Sequence, residues 1–274
     1  MSRFPHVAYA SFTDKGLVRG NNEDVVFALP QDGVFGVSDG MGGGEAGELA
    51  SAWVADEIRA ALPGTAGESP GVRLTAVREA IGRANARIRA YAQENGYALM
   101  GATVAMLLLN PWAPASVVAI HVGDSRVYRM RGGTLEQLTP DHTVGADIAM
   151  AIGDGAAGNH RSSSLSHVLT RAVGVSDVVI PEKTLVTAAP GDVFLVCTDG
   201  VSTMLDDAAL KDVMLSASTP QDIADRISSA VRSNGAVDNY SLVVCRMADV
   251  FPPAEVHDAG EEEESLYLEE RWSV

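Results

Sequence analysis

Cysteine is scarce: the 274-residue chain holds two, Cys197 and Cys245. Both sit inside apolar, strand-like runs and read as core thiols, and a pair so placed excludes a disulfide framework. Long apolar runs are missing as well. The greasiest stretch, 104–120, is broken by Asn110, Pro111 and Pro114, so no membrane span is expected. The N-terminus carries no continuous apolar segment of signal-peptide length, so a cytoplasmic location is expected. Bases are in short supply: 20 Lys and Arg stand against 36 Asp and Glu, a net charge of −16. Phosphate backbones are bound by basic patches, so nucleic acid is not expected as a partner. There is no internal repeat, no EF-hand loop, and no Cys-x5-Arg loop to offer a covalent thiol nucleophile.

What is present is enough apolar residue, 46%, for a sizeable core. Residues 1–250 read as one large domain. Residues 251–274 read as an acidic tail, since eight acids and one base, Arg271, fall within 255–274; disorder or a docking segment are the two readings of it. Val25–Leu29 and Gly33–Val37 read as strands joined by a turn composition. A glycine run, Gly42-Gly43-Gly44, leads into a helix whose buried face is marked by Ala46, Leu49, Ala50, Trp53, Val54, Ile58 and Leu62. A second helix is expected over Val72–Glu94. Strands follow over Ala102–Leu109, Ser116–Val122, Arg126–Arg131, Thr134–Leu138, Thr184–Ala188, Asp192–Thr198 and Ser241–Met247, with helices over Asp207–Leu215 and Gln221–Val231. Hairpins without regular strand–helix alternation argue for an α+β sandwich of antiparallel sheets. Residues 143–166 are rich in Gly, Ala and Ser and show no firm period, which reads as a long loop.

Three aspartates, each followed by Gly or Asn, carry the chemistry: Asp39 and Asp199 at the ends of apolar runs, and Asp238 just before the last strand. A carboxylate at the end of a buried strand is costly unless something neutralises it. Several converging carboxylates need protons, bases or cations, and an all-oxygen set favours Mg, Mn or Ca over Zn or Cu. A further acidic group, Asn21-Asn22-Glu23-Asp24, precedes a strand.

These segments, taken in order, resemble the metal-dependent serine/threonine protein phosphatases of the protein phosphatase 2C type, in their bacterial form. The matching pieces are Thr13-Asp14-Lys15-Gly16-Leu17-Val18-Arg19 with Asn22-Glu23-Asp24; Ser38-Asp39-Gly40-Met41-Gly42-Gly43 with Ala46-Gly47-Glu48; Gly101-Ala102-Thr103; Val122-Gly123-Asp124-Ser125-Arg126; Leu138-Thr139-Pro140-Asp141-His142; Leu169-Thr170-Arg171-Ala172-Val173-Gly174; Thr198-Asp199-Gly200; and Asp238-Asn239.

The resemblance implies a four-layer α/β/β/α sandwich, two antiparallel sheets flanked by helices, with two Mn2+ or Mg2+ ions at one end of the cleft between sheets. It implies that Asp39 bridges the ions with the Gly40 carbonyl as a further ligand, that Asp199 and Asp238 complete the ligand set of the second ion, and that Glu23 and Asp24 act largely through bound water. Asp124 with Asp199 would bind a third ion, and Arg19 would hold the substrate phosphate. The activity implied is hydrolysis of phosphoserine and phosphothreonine on proteins by a metal-bridged hydroxide. The implied partners are a serine/threonine kinase and its substrates, and the chain is expected to be a monomer. Residues 143–166 would correspond to the family's flap. Met41 stands where many eukaryotic members carry a proton-donating His, which leaves a water at the ion of Asp124, or His142, as replacement. A regulatory pseudophosphatase and a structural Ca-binding protein are the competing readings.

Overall fold

The computed structural model describes residues 4, 6–152 and 168–253. The acidic tail from 254 onward and residues 153–167 lie outside the described residues.

Eleven strands form two sheets among the described residues. One holds β1 (Val7–Asp14), β7 (Arg126–Arg131), β8 (Thr134–Gln137), β10 (Val193–Cys197) and β11 (Tyr240–Met247), in the order β1-β11-β10-β7-β8. The other holds β2 (Asp24–Leu29), β3 (Val34–Met41), β5 (Val104–Leu109), β6 (Ser116–Val122) and β9 (Glu182–Thr187) in the order β2-β3-β5-β6-β9, with β4 (Gly101–Ala102) pairing the end of β3. All these pairings are antiparallel.

Side-chain alternation along each strand sorts the core into three layers. Phe35, Val37, Ala105, Leu107, Phe194, Val196, Val243 and Cys245 meet between the sheets. The opposite faces of β3, β5 and β6 pack on helices α1 (Glu45–Ala61) and α2 (Pro70–Asn95). The outer face of the other sheet packs on α4 (Asp199–Ser202), α5 (Asp207–Leu215) and α6 (Pro220–Ser233). This is the four-layer sandwich. Cys197 and Cys245 are buried free thiols, raised to about 12 and above that respectively by burial.

Local chemistry sets the helix starts. Ser69 accepts the Val72 N–H at 3.2 Å and Pro70 opens α2, while Thr219 accepts the Asp222 N–H at 3.1 Å before Pro220. Several elements escape the sequence reading, among them the short helix α4, the edge strand β1 and helix α3 (Val144–Ile152). The edge strand β1 has apolar residues on both faces, Val7 and Tyr9 toward the other sheet and Ala10 and Phe12 toward the helices, which blurs a period of two. Helix α3 occupies the first part of the stretch read as a loop. Its small residues dilute a short apolar spacing of four, Val144 to Ile148, below recognition.

Arg73 of α2 is buried to 1% exposure, and its guanidinium donates to the carbonyls of Leu109 and Asp32. It thereby ties α2 to the β2–β3 turn and to the end of β5. Arg73→Met would leave both carbonyls without this donor in a buried place. It is expected to cost about 3 kcal/mol, read as a lower urea midpoint at unchanged slope.

Candidate active site

The carboxylates are gathered by strand geometry. At one end of the sandwich β1, β3, β6 and β10 finish while β2, β7 and β11 begin, as the pairings Asp14↔Tyr240, Asp24↔Asp39 and Cys197↔Arg126 show. On β3 the residues facing the other sheet are Phe35 and Val37, and the same alternation carries Asp39 to the end of that face. On β2 it carries Asp24 there, directly opposite Asp39. On β10 and β11 it carries Thr198 and Ser241. The inter-sheet core therefore ends in a polar cap rather than in methyl groups.

Above this cap lies a cleft of about 550 Å³. Its walls include Arg19, Glu23, Asp39, Asp124, Asp199 and Asp238. Of the sequence-predicted residues, Gly40 also lines it, and Asp24 lies beneath, 6% exposed.

Hydrogen bonds fix each wall. Thr198 Oγ1 donates to Asp24 Oδ2 at 2.8 Å and accepts the Ser241 N–H at 2.9 Å, joining the two sheets. The Asp39 N–H donates to Thr103 Oγ1 at 3.1 Å, and Thr103 Oγ1 lies 2.6 Å from Ser125 Oγ, next to Asp124. Asn239 is 6% exposed: its Oδ1 accepts the Glu23 N–H at 2.9 Å while its Nδ2 donates to the carbonyls of Lys15 and Asn21. Glu23 Oε1 accepts the Gly44 N–H at 2.9 Å at the foot of α1. A Cβ on Gly47 would stand 1.7 Å from Glu23 Oε2, so only glycine admits the carboxylate there.

The electrostatics are those of crowded like charges. Asp39 is held well above the ordinary carboxylate range, first by burial at the cleft floor and then by Asp24, Asp199, Asp124 and Asp238. Burial pushes Asp24 up to about 7, with Asp199 and Asp238 adding to it against hydrogen bonds from Thr198 and Ser241. Burial likewise pushes Asp124 up to about 7, followed by Asp199 and Asp141. Asp238 pairs with the exposed Arg19, Nη2 to Oδ2 at 2.7 Å. The hydrogen bond to Asp238 raises the guanidinium further.

A divalent-cation pair fits this donor set. All the donors are oxygens, and Asp24 Oδ1 is buried without a hydrogen-bond partner. Among the described residues no three acidic, His or Cys side chains are already closed around one ion-sized point. The fit rests on donor chemistry, charge and that orphaned oxygen.

Several wall residues carry no assignment from sequence. Leu99, Val168 and Val175 line the cleft outside any recognised motif, and Arg171 lines it from within one that gave it no role. Thr198 and Asn239 sit inside recognised motifs, and strand alternation is the signal that would have singled out Thr198. His142 does not line the cleft. Its Nδ1 accepts the Gly123 N–H at 3.1 Å, and its ring stacks on His121 with centroids 4.3 Å apart. Burial and then Arg171 lower its pKa, so it is a neutral strut behind Asp124. Asp141 is likewise structural, accepting Arg126 Nε at 2.7 Å and Nη2 at 2.6 Å.

The raised carboxylates make a pH prediction. An aspartate's ordinary pKa is about 4, so the ion-free folded state holds extra protons on Asp24 and Asp124 between about pH 4 and 7. Their contribution to stability is present at the acid end of that window and falls as pH rises through it. Asp39→Asn removes one of the repelling charges. In EDTA at pH 8 it is expected to raise Tm by about 2–4 °C over wild type, with the difference shrinking toward pH 5 in parallel calorimetric scans.

Residues 20–232 match the family model described as protein phosphatase 2C. The chain is 34% identical over 248 residues to the serine/threonine protein phosphatase PstP of Mycobacterium tuberculosis, a match covering 88% of this chain and 45% of that protein; it thus spans about half the length of this relative. It is 30% identical over 245 residues to the serine/threonine phosphatase stp of Listeria welshimeri, covering 85% of this chain and 92% of that one. Among solved structures, the catalytic domain of PstP in complex with two manganese ions superposes with a TM-score of 0.75 at 30% identity, covering 89% of this chain and 99% of that one. With the sandwich and its acidic cleft in place, these matches make the chain a member of the protein phosphatase 2C family.

Proposed function

We propose that this chain hydrolyses phosphoserine and phosphothreonine on proteins, using Mn2+ or Mg2+ held at the acidic cleft. The observation that carries this reading is the convergence of Asp24, Asp39, Asp124, Asp199 and Asp238 at one end of the inter-sheet core, with pKa values raised where burial is deepest. The PstP catalytic domain, its structural neighbour, is in complex with two manganese ions. Asp39, Gly40, Asp199 and Asp238 would hold the pair, with Glu23 and Asp24 acting through bound water, and Asp124 with Asp199 would hold a third ion. Two such ions supply charge neutralisation and water acidic enough to lose a proton near neutral pH.

The chain's own residues do the rest. Arg19 covers Asp238, and a cation on that carboxylate would free the guanidinium to take two phosphate oxygens side by side. Asn239 and Gly44 hold Glu23 in place through the backbone and carboxylate bonds above. Met41 lines the cleft but has no proton to give, and His142 is buried behind Asp124, so water on the Asp124 side is left to protonate the departing alcohol. A serine/threonine kinase and its substrates, in the cytoplasm, are the proposed partners. No helix among the described residues is long and apolar enough to cross a membrane.

Phosphate release from a phosphothreonine peptide, with and without Mn2+, tests the reading in wild type and Asp199→Asn. Wild type is expected to release phosphate only with Mn2+, and the variant to lose roughly a hundredfold or more together with calorimetric Mn2+ affinity. A folded wild type that binds Mn2+ and releases nothing would make this fold a regulatory binding module instead.

A further inference from the structure

Inside the acidic cleft lies one apolar wall. Gly101 leaves bare backbone there: a Cβ on it would stand 2.6 Å from Met41 Cε and 3.2 Å from Val175 Cγ2. The ends of these two side chains therefore converge over the strand that pairs the end of β3. Leu99, two residues before Gly101, lines the same cleft. Leu99 is 52% exposed and Val175 49%, yet both line the same cleft as Asp39 and Asp199. Large apolar side chains left open within a polar cleft mark a contact surface. The hydrolytic reading gives them no task, and it leaves Met41 without a proton to donate.

We infer that Met41, Leu99 and Val175 form a specificity shelf that takes an apolar side chain next to the phosphorylated residue of the substrate; this rests on the phosphatase reading above. Continuity with the acidic floor carries the choice of occupant. Met41 follows Asp39 by two residues along β3, about 7 Å on an extended strand. A substrate residue adjacent to the phosphorylated one has its Cα about 3.8 Å along the chain, and its side chain spans the remaining reach. Charge narrows the choice. The cleft is lined by four aspartates and Glu23, so a basic neighbour is drawn to the carboxylates and to Asp147 beyond Arg171 rather than to methyl groups. The unbranched thioether of Met41 adapts to differently shaped apolar partners, which suits an enzyme acting on more than one protein.

The test uses the full chain and peptides identical except at the two residues flanking phosphothreonine, both Leu, both Lys or both Gly. Turnover is measured with Mn2+. Binding is measured separately by fluorescence anisotropy on phosphonate analogues that resist hydrolysis. Wild type is expected to favour the Leu-flanked peptide over the Gly-flanked one by about tenfold in kcat/KM and in Kd. In Val175→Asp, and in Leu99→Asp, the Leu-to-Lys ratio should fall by about tenfold. Because each ratio is taken within one protein, partial unfolding of a variant cancels. A wild-type Leu-to-Gly ratio within about twofold, or variants that leave the Leu-to-Lys ratio unchanged, would overturn the shelf. Turnover of all three peptides alike would sink the shelf and keep the hydrolytic reading. Tighter binding of the Leu-flanked analogue with no turnover of any peptide would do the reverse.

Discussion

The rest of the structure depends on the repulsion among carboxylates at the end of the inter-sheet core. Asp24 and Asp39 stand directly opposite each other across an antiparallel pair, an arrangement that is destabilising for like charges. Asp124, Asp199 and Asp238 add their fields. A hydrophobic cap at that end would be more stable, so the acids are tolerated only because the surrounding scaffold is over-determined. Two packed helical layers, the paired strands and the hydrogen bonds of Thr198 and Thr103 hold the strand ends in place against the repulsion.

The same constraint explains the polar residues beneath the acids. Thr198 links Asp24 on one sheet to Ser241 on the other, Thr103 ties Asp39 to Ser125, and Asn239 joins three separate chain segments. Each is buried. Their short side chains fix backbone and carboxylate at once, with little rotamer freedom to lose. A set of acids on loops alone would swing apart to relieve repulsion; a set rooted in strand ends cannot. Arg19 is the exception. It sits at the exposed rim and covers Asp238, so it can exchange one anion for another without disturbing the core.

Much of this was legible in the chain. Most strands and both long helices follow from period and turn composition, and the core thiols from the apolar runs around them. The ordered motifs place Arg19, Glu23, Asp39, Gly40, Asp124, Asp199 and Asp238 around one cleft and Asp24 just under it. Other features were illegible for physical reasons. Helix α3 is nine residues long, shorter than the window over which a helical period can be read. Edge strand β1 presents apolar side chains to both faces. For His142 the chain left local hydrogen bonding and proton donation both open, and only the fold turns its Nδ1 to the Gly123 N–H. The apolar wall draws on residues 41, 99 and 175; Met41 and Val175 meet over Gly101 and Leu99 lines the same cleft, a gathering that their separation in sequence hides.

The sequence by itself determined the class of fold and the chemistry of the donor set, because periodicity and residue type are local properties. Only the tertiary structure decided which acids are forced together, which lies beneath the cleft, and which apolar side chains share its wall. Those depend on register between distant strands: Asp24 meets Asp39 because β2 pairs β3 in that alignment. A slip of β2 by one residue would have sent Asp24 to the opposite face of the sheet, away from Asp39.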